Sequence, residues 1–299
     1  MGLLDGKVAI VTGAGRGLGR EEAIALARHG ATVIVNDIGA SLSGHGIDES
    51  PAADVVRAIT TAGGKAVANG EDVSDWHGAQ RSIEQAYHRF GRLDILVNNA
   101  GVLRDRMVFN MAEDEFDVVM KVHCKGHFAM TRHACERWRD VAKRAGSAYG
   151  RVINTSSEAG LMGSAGNSNY AMAKAAIAAF TVSVAREMAK YGVRANFIAP
   201  RARTRMTDSI PNSTMFHRPE TGFDTFHPAW PAELVVFLAS EHADFTGQGF
   251  IVWGGHMVLL RNWSIAREIA KEDAAITAED LIARKRELFG NTPTEPGYL

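Results

Sequence analysis

The stretch KVAIVTGAGRGLGREEAIALARHG, residues 7–30, carries the reading of the fold. Its first part, KVAIVT (7–12), is a short apolar, β-branched run without alternation, the pattern of a strand buried on both faces. It runs directly into Thr12-Gly13-x-x-x-Gly17-x-Gly19, and then into an amphipathic segment closed by Gly30 in the manner of a helix C-cap. The two-glycine pattern G-x-G-x-x-G does not fit, because Leu18 stands where its last glycine would be. T-G-x-x-x-G-x-G does fit, and its physical demand is the same. The backbone must turn tightly after a strand and approach a pyrophosphate at the positive end of a helix.

The same alternation continues outward along the chain. TVIVN (32–36), ILVNN (95–99), RVINTSS (151–157), VRANFIAP (193–200) and GFIVWGG (249–255) read as strands, with amphipathic segments such as DWHGAQRSIEQAYHRFG between them. Apolar strands separated by helices indicate a parallel sheet covered on both faces. The expected fold is therefore α/β: one doubly wound Rossmann domain over residues 1–260, with a mostly parallel, seven-stranded sheet. Two regions break the rhythm, a Gly/Ser-rich insertion at 38–50 and an Arg-, Phe- and His-bearing loop at 201–230. Residues 261–299 read as a C-terminal extension that packs on the core or on a neighbouring subunit, with a helix start at Thr277 followed by Asp280.

Composition narrows the function classes. The chain has 299 residues, 46% hydrophobic and 22% charged, with a net charge of −1, which offers no electrostatic reason to bind nucleic acid or an anionic membrane. Cys124 and Cys135 are the two cysteines, at no metal-ligand spacing, and read as reduced structural thiols; no metal is expected. No apolar run has the length of a membrane span, the first residues do not form a signal peptide, and Gly6 stands where a myristoylation signal needs Ser or Thr. The simplest expectation is a cytoplasmic protein.

Two further patterns carry chemistry. In NSNYAMAK (167–174), Tyr170 and Lys174 are four residues apart, on one face of a helix, and SSEAG (156–160) lies upstream. An ammonium fixed beside a phenol favours the phenolate, so Tyr170 is expected to exchange protons nearer neutral pH than its usual value of about 10. The bland alternative is a core tyrosine with a solvated lysine. Asp37 ends the second strand, 18 residues after Gly19, where a carboxylate accepts hydrogen bonds from adenosine ribose hydroxyls and repels a 2′-phosphate. Arg16 pulls towards that phosphate; the carboxylate is expected to prevail, giving NAD over NADP, with a loop cap as the other use of Asp37.

T-G-x-x-x-G-x-G at 12–19, NNAG at 98–101, SSEAG at 156–160, Tyr170-x3-Lys174 and IAP at 198–200 together resemble the short-chain dehydrogenase/reductase family, in order, over about residues 5–258. VNDIG, GVLRDR, KVHCKGHF, APRARTRMT and GGHMVLLRNW are similar, more narrowly, to its (3R)-hydroxyacyl-CoA dehydrogenases, the dehydrogenase part of peroxisomal multifunctional enzyme type 2 (17β-hydroxysteroid dehydrogenase type 4). The resemblance implies an NAD-dependent oxidoreductase acting on CH–OH groups, usually a homodimer or homotetramer. It implies that Tyr170 is the general base, that Lys174 binds ribose and lowers the tyrosine's pKa, and that Ser157 holds the substrate oxygen. Ser157 is preferred to Ser156 by its spacing of thirteen residues from Tyr170. Lowering a phenol by three units needs about 4 kcal/mol.

The resemblance further implies cofactor contacts from Gly13, Arg16, Gly17, Leu18, Gly19, Asp37, Asp72, Val73, Asn99, Tyr170 and Lys174, and from main-chain groups of Ala202, Arg203 and Thr204. Two departures stand out. His123 replaces the family's usual Asn, serving either as a proton relay or as a core histidine, and Pro200-Arg201 replaces Pro-Gly, with Arg205 at the expected threonine. Around the loop, Arg201, Arg203, Arg205 and Arg218 sit among Met206, Met215, Phe216, Phe223 and Phe226. Apolar groups there suit a lipid-like chain, and the arginines either meet coenzyme A phosphates or are solvated or paired with Asp208 and Glu220. The readings left open are a 3-hydroxyacyl-CoA dehydrogenase, a dehydrogenase of free hydroxysteroids or other apolar alcohols, and a non-catalytic NAD(H)-binding relative.

Overall fold

Val8–Thr12 forms β1 and buries all five of its residues, as a strand covered on both faces must. The computed structural model describes residues 2–41, 46, 48–208, 216–261, 264–271 and 275–289, with 208, 288 and 289 as backbone alone. Met215 and residues 42–45 and 47 of the insertion lie outside them. Two compact units are present, Met1–Leu260 and Arg261–Leu299.

In the first unit β1 is followed by α1 (Gly17–Arg28), β2 (Thr32–Asn36), α2 (Ser50–Thr61), β3 (Lys65–Asn69), α3 (Trp76–Phe90) and β4 (Ile95–Asn98). Then come α4 (Glu113–Met120), a π-helical turn (Lys121–Lys125), α5 (Gly126–Ala145), β5 (Gly150–Thr155), α6 (Glu158–Met162) and α7 (Ser168–Met188). β6 (Val193–Pro200), α8 (Arg205–Asp208), α9 (Ala229–Ala239), β7 (Gly249–Trp253) and β8 (His256–Leu260) complete it. The second unit contains α10 (Ala278–Ala283), begun by a Thr277–Asp280 capping box, and α11 (Lys285–Phe289).

The sheet has eight strands in the order β3-β2-β1-β4-β5-β6-β7-β8, one more than expected. β1 to β7 pair in parallel, and β8 returns antiparallel to β7 through Gly254-Gly255, with Gly254 at φ +46°. The two glycines expected at the end of the last strand make a hairpin turn instead, for which left-handed residues are suited. Alternate strand residues feed opposite faces. Ala9 and Val11 pack with α1, α2 and α9, while Val8 and Ile10 pack with α3, α5 and α7. Among the described residues no helix is long and apolar enough to cross a membrane.

The inward face of α1 carries one exception to its small apolar residues. Glu22 is fully buried, and neither carboxyl oxygen has a hydrogen-bond partner among the described residues. Burial pushes this carboxyl up to about 8, against a downward pull from the Lys174 ammonium, so it is protonated at neutral pH. The folded chain holds a proton that the unfolded chain releases near pH 4.5, so this group costs stability as pH rises from there to about 8. Glu22→Gln removes the titration at nearly constant volume. Thermal melts from pH 5 to pH 8 should show the variant gaining on the wild type progressively, by an order of a few kcal/mol at the top. A difference independent of pH would mean that Glu22 ionises like an exposed carboxyl.

Candidate active site

The connections leave β1 in one direction across the sheet and β4 in the other, so the loops beyond these two paired strands part. A ligand crevice is expected at such a switch point. A cavity of about 500 Å³ opens there. Its nucleotide end is built by the glycine turn. Gly13 and Gly17 have φ of +63° and +56°, and a Cβ on Gly13 would stand 2.8 Å from Ala100 Cα. α1 starts with no side-chain cap and no acidic residue in its first turn, leaving its N–H groups and positive dipole end for an anion. The turn is pinned to the end of β4: Thr12 Oγ1 accepts from the N–H of Asn99 (3.0 Å) and Ala100 (3.1 Å), and Asn99 Nδ2 donates to Thr12 O (3.0 Å) and Gly13 O (3.2 Å).

Most of the expected cofactor residues line this one cavity: Gly13, Arg16, Gly17 and Leu18 from the turn, Asp37, Asp72 and Val73 from the ends of β2 and β3, Asn99, and Ala202 and Thr204. Gly19 and Arg203 do not line it. Gly19 instead packs under Asn99, where a Cβ would leave no room. Asp37 makes the loop-capping contacts that were the alternative to a ribose contact, accepting from Gly15 N (2.7 Å) and Gly39 N (2.6 Å), and it also lines the cavity. Arg16 lies 3.6 Å from Asp48, and Arg205 joins Arg16 and Asp37 on the cavity wall.

At the other end stand Ser157, Tyr170 and Lys174. The structure separates the two serines: Ser156 is buried with its Oγ donating to Lys174 O at 2.8 Å, while Ser157 N-caps α6 and its hydroxyl reaches Tyr170. α7 is aimed by Asn169, which donates to Arg104 O (3.0 Å) and Glu115 O (3.2 Å). Lys174 Nζ donates to Thr155 O at 2.6 Å and lies 5.4 Å from the Tyr170 ring centre.

The expected low tyrosine pKa is corrected here. Burial pushes Tyr170 up to about 12, with the Ser157 hydrogen bond opposing the rise and Asp105 adding to it. Burial also brings Lys174 down to about 7, against the pull of Cys124 and Glu22. Both groups have lost their water, and desolvation disfavours each charged form; for the phenol it outweighs the Ser157 hydrogen bond.

The π-helical turn carries His123 inward. Its Nε2 is 2.9 Å from Val102 O and 3.2 Å from Val102 N, so it donates to the carbonyl in one tautomer and accepts from the N–H in the other. Nδ1 of His123 and Nε2 of His127 are buried without partners among the described residues. Burial, with Lys174 nearby, holds both imidazoles well below their ordinary value, His127 at about 3, so both are neutral.

The loop arginines are corrected too. Arg201 pairs with Glu158 through two hydrogen bonds (2.6 and 2.5 Å), and Arg203 pairs with Asp224, one bond measuring 3.1 Å. Two of the four guanidinium groups are thus engaged within the protein. Arg205 and Arg218 are exposed, and the Asp208 side chain lies outside the described residues. Glu158, Asp224 and Asn169 were not singled out from the sequence, since their partners are 43, 21 and 65 residues away and no local pattern marks them.

Known proteins share this architecture. A family model described as short chain dehydrogenase matches residues 7–214. The hydroxyacyl-CoA dehydrogenase ChsB1 of Mycobacterium tuberculosis is 45% identical over 99% of this chain and 92% of its own length. The peroxisomal multifunctional enzyme type 2 of Mus musculus is 38% identical over 92% of this chain, which spans 35% of that protein. A short chain dehydrogenase from Mycobacterium avium superposes with a TM-score of 0.87 at 45% identity, covering 99% of both chains. With a strand–glycine turn–helix at the switch point and a family match over most of its length, the chain belongs to the short-chain dehydrogenases, oxidoreductases that act on CH–OH groups with a nicotinamide cofactor.

Proposed function

We propose that the protein is an NAD-dependent dehydrogenase of 3-hydroxyacyl-CoA esters, of fatty or sterol side-chain type. The observation that carries this reading is the placing of Ser157, Tyr170 and Lys174 at one end of a cavity whose other end is the glycine turn with Asp37. The names of the relatives support the thioester. The residues fit the cofactor: the turn Gly13–Leu18 and the start of α1 would hold the pyrophosphate, Asp37 the adenosine ribose, Asp72 and Val73 the adenine, Asn99 and Lys174 the second ribose, and Ala202 and Thr204 the carboxamide. NAD, when bound, supplies the hydride acceptor and a positive ring.

In oxidation Ser157 donates a hydrogen bond to the substrate oxygen and Tyr170 takes its hydroxyl proton. Without bound cofactor the phenol is too basic to be ionised at neutral pH, at about 12. Lys174, once hydrogen-bonded to ribose hydroxyls and holding its proton, favours the phenolate, as does any further positive charge in the closed site. Oxidation therefore gains rate as pH rises. A second reading, a dehydrogenase of free hydroxysteroids or other apolar alcohols, is favoured by the engagement of Arg201 and Arg203, which leaves fewer guanidinium groups for coenzyme A phosphates. The intact Ser157, Tyr170 and Lys174 speak against a non-catalytic relative. Exposed Phe128 on α5 and Met172 on α7 support a homodimer or homotetramer.

NADH absorbance with a long-chain (3R)-hydroxyacyl-CoA, and with a free hydroxysteroid beside it, tests the substrate. Turnover of the thioester is expected. Tyr170→Phe should lose about 100-fold or more in kcat and still bind NADH. Turnover of the steroid alone would overturn the thioester reading.

The cofactor preference is tested separately. Asp37→Ser removes the carboxylate that repels a 2′-phosphate and leaves Arg16 and Arg205 beside it. The ratio of kcat/KM for NADP over NAD should rise at least about tenfold, roughly 1.4 kcal/mol. An unchanged ratio would mean that Asp37 acts only as a loop tie.

A further inference from the structure

Glu158 and Arg201 lie just beyond the C-terminal ends of two neighbouring parallel strands, β5 and β6. Glu158 is the first residue of α6, directly after Ser157, whose Oγ caps that helix by accepting from Ala159 N at 3.2 Å. Carboxylate and serine therefore move as one turn. Arg201 directly follows β6, its N–H donates to Val252 O at 2.9 Å, and the next residues are Ala202–Thr204. The guanidinium meets the carboxylate as a fork, Nε to Oε2 at 2.6 Å and Nη2 to Oε1 at 2.5 Å. Trp253, at the end of β7, covers the guanidinium at 4.3 Å from the ring centre, and is itself stacked on His256 of β8 at 4.7 Å.

The setting is unlike a surface ion pair. The side chains are 19% and 26% exposed, the geometry is bidentate, and an aromatic face limits motion of the cation. Both residues line the cavity. A planar fork held along its edge by Glu158 and on one face by Trp253 fixes distance and orientation together, which a lysine at the same place would not do. The pair adds no net charge to the wall of a cleft that is to receive an apolar chain.

We propose that Glu158 and Arg201, backed by Trp253, are positioning residues for hydride transfer. They tie the turn bearing Ser157 to the segment Ala202–Thr204, so that the substrate oxygen and the cofactor ring keep one separation and angle. The proposal rests on the roles given above to Ser157 and to that segment. It also accounts for an arginine in place of glycine after Pro200. A glycine there leaves the segments after β5 and β6 to be held by backbone alone, whereas Arg201 adds a side-chain brace between them. Hydride transfer is sensitive to such bracing, since misplacement of reacting atoms by about 1 Å costs on the order of 100-fold in rate.

Purified full-length Glu158→Gln, Arg201→Lys and Arg201→Met would be compared with wild type on the hydroxyacyl-CoA and on the hydroxysteroid. Each alcohol is used with hydrogen and with deuterium at the carbinol carbon. Expected are a fall in kcat of about 10- to 100-fold, a KM for NAD changed less than about twofold, and a larger deuterium isotope effect on kcat. Arg201→Lys should retain more activity than Arg201→Met. A lowered melting temperature with kcat and isotope effect unchanged would overturn the proposal, leaving the pair a structural brace. A loss confined to KM for the alcohol would also overturn it, in favour of a substrate contact. A wild type silent towards both alcohols would overturn the functional reading, and the positioning role with it.

Discussion

The hydroxyl of Thr12 holds the site together. It accepts from two successive N–H groups at the end of β4, Asn99 and Ala100, and donates to Val97 O, also on β4, while Asn99 returns a hydrogen bond to the end of β1. Parallel strands whose connections part at a switch point leave peptide groups unpaired where the ladder stops, and buried peptide groups need partners. One threonine and one asparagine supply them here. Gly13 approaches Ala100 so closely that a side chain would not fit, which brings the nucleotide turn and the NNAG stretch to one wall. The cavity between the nucleotide turn and β4 depends on this junction.

Around it, the interior keeps charge out. Glu22, His123, His127 and Lys174 are all at least 98% buried, and burial shifts each towards its neutral form. The site without cofactor is thus a low-dielectric chamber whose ionisable groups wait for a charge from outside. This is the physical reason that the tyrosine–lysine pair, expected to exchange protons nearer neutral pH, has both groups shifted towards their neutral forms. A helical spacing of four brings two side chains together; it does not state how much water they keep.

The arginine-bearing loop after β6 illustrates the same limit. Four arginines within eighteen residues read naturally as an anion site. Two of them meet carboxylates contributed by α6 and by the far end of the loop itself. Whether a guanidinium is free for a phosphate depends on long-range partners, and ion pairing within the protein removes it from the account of ligand charge. The apolar groups Met206 and Phe216 nevertheless line the cavity, in keeping with a lipid-like substrate side.

Local order was legible in the sequence because it rests on short-range rules. β-branched runs, glycines at a strand–helix turn and a capping box at Thr277 each need only neighbouring residues, and each marked its element. The order of the motifs likewise put Asp37, Ser157, Tyr170 and Lys174 on the list that the cavity later joined. The eighth strand escaped because Gly254-Gly255 serves a strand end and a hairpin equally well until a partner strand is known. The protonation of Tyr170 and Lys174, the partners of Arg201 and Arg203, and the burial of Glu22 were decided only by tertiary structure. Desolvation and ion pairing depend on which residues, distant in the chain, are brought against a group, and that information exists only once the chain is folded.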